Sequence, residues 1–258
     1  MNIIVCFKVV PDEQDIVINA TGELSFERAR PAISTYDLNA VEAGAQLVEA
    51  HGGTLTALSV GGPEINESKL KKNILSRGPG KLFMIADDSL KDGDTHQTAR
   101  ALKNGIDKIG DYDLILCGEG SADLYAQQVG AQLGQLLGLP SINSVGKIAV
   151  KDGTVVVERT LEDEVETLEI PLPAVISVTS DINLPRIAGM KQILEAGKKP
   201  STVWSAGDVG LTALNPTITV LETKAPKQVD RRQEIVEGDS DEAIQAFMGM
   251  ISEVIRER

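Results

Sequence analysis

Residues 113–134, DLILCGEGSADLYAQQVGAQLG, carry the strongest local signal for chemistry. An apolar run leads into Gly118 and Gly120, and a helix opened by Ser121 or Asp123 is expected to follow. A helix N-terminus offers unpaired N–H groups and the positive end of the helix dipole, which suit a phosphate. The run lacks the third glycine of G-x-G-x-x-G, and GxxxxGK followed by Ser or Thr occurs nowhere. A tight turn with Asp123 as a plain N-cap is therefore the competing reading. Gly130 and Gly134, four apart, are read as small positions that let a helix lie close to a sheet. Cys6 and Cys117 stand in the apolar runs IIVCF and LILC, outside any CxxC, and are read as buried reduced thiols. His51 and His96 are the only histidines, so no His/Cys metal site is expected. No GxSxG elbow occurs, and the acidic run 162–164 reads as a solvated turn between strands. A nucleotide-binding scaffold without catalytic machinery favours a binding or carrier role over an enzyme.

The elements that must position these residues follow from periodicity. Residues 2–10, 54–60, 81–86 and 113–118 are apolar runs typical of buried parallel strands. Between them, helical spacing predicts helices from Asp37, as N-cap, to Gly52, over 66–76, and over 94–109 with Asp94 as cap. A fourth helix is expected over 123–138, stopped by Pro140. Alternating strands and helices mean a Rossmann-like parallel sheet with helices on both faces. After Pro140, SVGKIAV, GTVVVERTL and VETLEI alternate as antiparallel additions, 173–179 is again a buried run, and a short helix is expected at 190–196. Two parts are expected: a nucleotide-binding α/β domain over 1–212 and a C-terminal arm over 213–258. In 241–258, Ile244, Phe247, Met248, Ile251, Val254 and Ile255 share one helical face. That face either folds back on the domain or clasps a partner chain.

The 25 Lys+Arg against 38 Asp+Glu leave a formal net charge of −13, the wrong sign for binding nucleic acid. The 42% hydrophobic content is that of an ordinary globular chain, and a chain of 258 residues buries enough surface to need no disulfides. MNIIVCFKVV has no basic leader, and no apolar stretch approaches the ~20 residues that span a bilayer. A cytoplasmic protein without membrane insertion is expected.

Residues 157–177, VERTLEDEVETLEIPLPAVIS, place Arg159, the acidic run 162–164, Glu166, Leu168, Pro173, Val175, Ile176 and Ser177 in a telling order. That order and spacing resemble the signature segment of the electron transfer flavoprotein β-subunit family. VCFKVVPDEQD, YDLNAVEAGAQL, LSVGGP, SADLYAQQVG and NLPRIAGMKQILEAGKKP fall in the same family order, closely over about 1–210 and loosely over the arm. SRGPGKL, SADLYAQQVG and VWSAGDVG look most like the bacterial branch linked to carnitine metabolism and nitrogen fixation (Fix type). The resemblance implies an electron carrier subunit rather than a stand-alone enzyme. It implies FAD held mainly by an α-subunit partner, and AMP, or a second FAD in a bifurcating form, held in this subunit. It also implies an arm that clasps the α-subunit and transient contact with an acyl-CoA-type or other flavin dehydrogenase. By position, the nucleotide pocket would comprise Cys6, Ser34, Thr35, Tyr36, Asp37, Gly61, Tyr125, Gln127, Gln128, Val129 and Gly130, with Tyr36 facing the partner's flavin. Arg186, Met190 and Lys191 would dock the dehydrogenase, Met190 standing in place of a Leu anchor; packing of Met190 into the core is the alternative. Ala126 and Val129 stand where relatives often have a hydroxyl, and Asp37 where a Cys is common, so the choice of nucleotide stays open. The other functional readings are a nucleotide-binding regulatory module and an adenine-nucleotide-processing enzyme of similar fold.

Overall fold

The computed structural model describes residues 1–212, 216–227 and 233–256. The expected boundary at 213 and the last two residues of the expected terminal helix, 257–258, lie outside them. The chain opens with β1 (Asn2–Cys6), β2 (Val9–Pro11), β3 (Val17–Ile18), β4 (Leu24–Ser25) and β5 (Pro31–Ile33). Then follow α1 (Thr35–His51), β6 (Thr54–Gly61), α2 (Ser68–Leu75), β7 (Lys81–Ala86), α3 (Thr95–Ile109), β8 (Leu114–Gly118) and α4 (Val129–Leu137). The second half has β9 (Ser141–Lys151), β10 (Thr154–Thr160), β11 (Val165–Pro171), β12 (Ala174–Val178), α5 (Met190–Ala196), β13 (Ser201–Trp204) and α6 (Asp241–Arg256).

Among the described residues, nine strands form one sheet in the order β11-β10-β9-β12-β8-β1-β6-β7-β13. It is parallel from β9 through β13, so β9, expected among the antiparallel additions, instead joins the parallel part beside β12, and β10 and β11 extend it antiparallel. This is the expected Rossmann-like α/β architecture. Alternation along β1 divides the core: Ile3 and Val5 pack with α1 and α2, while Ile4 and Cys6 pack with α3 and α4. From β1 the chain moves outward to β6 and β7, then returns to place β8 on the other side of β1. The carboxyl ends of β1 and β8 therefore flank a switch point, where open α/β sheets leave a crevice.

Four local expectations change. The run 2–10 splits at Lys8, whose N–H leaves the ladder for the Asp37 carboxylate; Val9–Pro11 then pairs with β5 instead. Helix α1 starts earlier, with Ser34 at its N-cap position but no side-chain cap bond, so Asp37 lies inside its first turn. Helix α4 starts at Val129 rather than 123, because Tyr125 and Gln127 adopt φ of +47° and +56°, outside the helical region. An edge strand, β13, forms where the sequence predicts none: STVW pairs in register with β7.

Candidate functional site

The crevice gathers segments distant in sequence. Asp37, buried at 6% exposure, bridges its two walls. Its Oδ2 accepts the Lys8 N–H at 2.7 Å and its Oδ1 accepts the Gly118 N–H at 3.2 Å. Burial pushes its pKa up to about 7, against the lowering pull of those two N–H groups, the Lys8 charge and Ser34. The Lys8 ammonium pairs with Asp123 at 2.6 Å. Burial raises the Asp123 pKa, but hydrogen bonds from Lys8 and Ser121 outweigh it and hold this carboxyl below its ordinary range. Ser34, also buried, accepts the Ala122 N–H at 3.3 Å, so the loop after β8 is tied to the start of α1.

Cys6 and Cys117 end β1 and β8 side by side under α3 and α4. Their hydrogen bond, then burial, pushes the Cys6 thiol well above its ordinary pKa. Cys6 thus offers the crevice its backbone, not a reactive sulfur. Gly61 ends β6; a Cβ there would lie 2.9 Å from Ile65 Cγ2, so its smallness serves the turn that follows. Thr35 and Tyr36 open α1. The Tyr36 and Tyr125 rings lie 5.0 Å apart at 42°, and the Tyr125 ring covers Gly120, where a Cβ would lie 2.5 Å from it.

Helix α4 begins four residues after Tyr125, with Gly130 near Ser177 and Cys117. Gln128 precedes it without a side-chain cap; instead its Oε1 accepts the Thr95 hydroxyl at 2.8 Å. The first-turn N–H groups of Val129 and Gly130 have no intrahelical partner by geometry. The Cα of Gly130 faces Ser177 on β12, where a Cβ would come within 2.1 Å of Oγ. The close approach expected for Gly130 is therefore one of helix to sheet.

Lys8 and Thr95 belong to the site without any motif that marks them. Lys8 had a signal, being the only charge inside VCFKVV; Thr95 had none, because its partner is 33 residues away. At the expected docking segment, Met190 opens α5 and is 73% exposed. Lys191 is exposed and 4.0 Å from Glu195. The Arg186 guanidinium is bound within the chain, to Glu42 at 2.6 Å and Glu49 at 2.5 Å. Among the described residues, no group of three or more His, Cys, Asp or Glu is arranged to hold a metal. Nor is any helix long and apolar enough to cross a membrane.

A family model, the electron transfer flavoprotein domain, matches residues 23–209. The chain belongs to that family. The electron transfer flavoprotein domain is that of flavin-associated electron carriers rather than classical enzymes, so a role in an electron transfer flavoprotein follows. The matched residues include α1, the glycine-bearing loop after β8, α4 and the segment around Met190.

Proposed function

We propose that this chain is the β-subunit of a heterodimeric electron transfer flavoprotein of the Fix-type branch, holding an adenine nucleotide in the crevice between β1 and β8. The observation that carries the reading is the convergence there of the uncapped α4 N-terminus, the Gly118–Gly120 backbone and the Tyr36–Tyr125 pair. This donor set fits the group: N–H groups of Val129 and Gly130 would take phosphate oxygens, and the tyrosine faces suit a flat ring. Asp37 and Ser34 would not touch the nucleotide; they hold the loop that does. AMP in this place is structural, whereas a second FAD would supply a further electron-accepting centre. The carrier FAD would be held mainly by the α-subunit, clasped by the arm, and electrons would arrive from a flavin dehydrogenase docking near Met190.

Co-expression with the partner subunit, a visible spectrum, and identification of the nucleotides released on denaturation test this. A yellow heterodimer releasing FAD with AMP, or two FAD per heterodimer, is expected. A preparation that releases no AMP, ADP or FAD, and refolds no better with nucleotide added, rejects it.

A further inference from the structure

Helix α1 carries a polar stripe of Asn39, Glu42, Gln46 and Glu49 at spacings of three, four and three. Such spacing puts all four on one face. Asn39 and Glu42 are buried, which is costly unless they are partnered. Their partners come largely from a segment some 140 residues later. Asn39 Nδ2 donates to the carbonyls of Ser180 at 3.0 Å and Asn183 at 2.9 Å, and Asn183 Nδ2 donates back to the Asn39 carbonyl at 3.0 Å. Glu42 accepts from the Arg186 N–H at 3.1 Å, its Nε at 2.6 Å and its Nη2 at 3.1 Å. Glu49 accepts from Nη1 at 2.5 Å and Nη2 at 3.1 Å. From α2's side, Arg77 donates to the Arg186 carbonyl, and beyond α5 the Lys199 ammonium donates to the carbonyls of Leu75 and Pro79.

Ile182 of the same loop packs against the core, but two other apolar side chains turn the other way. Leu184 is 91% exposed and Ile187 92%, next to the exposed Met190. Hydrophobic burial alone would produce the opposite arrangement. Here Asn183 and Arg186 are fastened inward while Leu184 and Ile187 are held out. The ion pair shifts both partners: Glu42, then Glu49, push the Arg186 pKa up. Burial raises the Glu42 pKa, but the bonds from Arg186 and Gln46 outweigh it and leave it below its ordinary range.

We propose that Glu42, Asn39 and Arg186 are positioning residues that hold residues 180–189 in one preorganised conformation, presenting Leu184, Ile187 and Met190 to the partner dehydrogenase. This rests on the docking reading above. It moves Arg186 from a contact to a fastener. A loop ordered before encounter loses less conformational freedom on binding, which raises affinity without adding a contact.

The test uses the assembled flavoprotein reduced by its flavin dehydrogenase, with KM and kcat measured separately, and amide hydrogen exchange over 180–189. M190A probes docking itself. E42Q keeps shape and removes charge; R186K keeps charge and removes the planar fork. The expected result is a KM raised fivefold or more in M190A, E42Q and R186K at nearly constant kcat. Exchange in 180–189 should quicken in E42Q and R186K, with flavin content unchanged. The KM increase of E42Q combined with M190A should fall short of the product of the two single effects. A raised KM in M190A with wild-type KM and exchange in E42Q and R186K overturns the positioning role. A raised KM in E42Q with wild-type exchange over 180–189 overturns it too, since the loop would then be held without the pair. Faster exchange in E42Q with wild-type KM in M190A locates the failure in the docking reading instead. Should E42Q not assemble, R186K carries the same test.

Discussion

At the scale of single residues, the site turns on buried polar groups placed to bridge backbone. Asp37 is the clearest case: a carboxylate removed from water beneath the crevice and joined to the ends of two strands. Its pKa rises from 3.8 to about 7, with burial as the largest cause. The folded protein therefore binds a proton here between about pH 4 and pH 7 that the unfolded chain has already released. The corresponding stability is fully present below pH 4 and is lost as pH rises through about 7. At ~1.4 kcal/mol per unit the loss is up to about 4 kcal/mol. Asp37→Asn should flatten this part of the stability profile, as measured by denaturant unfolding at a series of pH values. At pH 8 the amide can accept only one of the two N–H groups, and an unpaired buried donor costs about 1–3 kcal/mol. A profile with the same slope in the variant would show that Asp37 is not the titrating group.

At the scale of elements, α4 is set by two glycines whose neighbours differ. An added Cβ at Gly134 would lie 2.4 Å from Ser141 Cβ on β9, whereas at Gly130 the nearest atom is Ser177 Oγ. A hydroxyl can rotate aside; a Cβ moves only with its backbone. Alanine also brings roughly 1 kcal/mol of helix propensity over glycine, and overpacking costs roughly 1–3 kcal/mol. Gly134→Ala is thus expected to lower stability by up to about 2 kcal/mol, the overpacking cost less the propensity gain, and Gly130→Ala by less, read from thermal melts. The reverse order would mean that α4 shifts as a body rather than being pinned against β9. Helix α3 shows the same local logic at its start, where Asp94 and Gln97 form a capping box and Asp94 also accepts from Thr217 at the beginning of the arm.

At the scale of the whole molecule, residues 217, 218 and 224 hold to the α/β core, whereas the helix that ends the described chain offers an open face. The apolar face of α6 is open along its length, with Ile244, Phe247, Met248 and Ile255 each more than half exposed. A helix this amphipathic is stable when that face is covered. Deleting 240–258 should leave the melting of the α/β domain unchanged and weaken assembly with the α-subunit a hundredfold or more. Losing the burial of only two such side chains, at roughly 1.5–3 kcal/mol each, is sufficient for that. Titration of the truncated chain against the partner checks it; undiminished affinity removes α6 from the interface.

The features legible in the amino-acid sequence are local ones. The apolar runs marked β6, β7, β8 and β12, the cap at Asp94 marked α3, and Met190 and Ala196 bounded α5, because burial and capping act within a few residues. The glycine-bearing loop after β8 was legible for the same reason. Strand order was not, since a buried parallel strand reads alike wherever it lies in a sheet. The switch point between β1 and β8, and with it the crevice, belongs to tertiary structure. So do the roles of Asp37 and of the stripe from Asn39 to Glu49. A polar residue on a helix reads as solvated until its partners are known, and those partners lie up to 144 residues away. Only the folded chain brings such groups within hydrogen-bonding distance, where desolvation makes the pairing obligatory rather than optional.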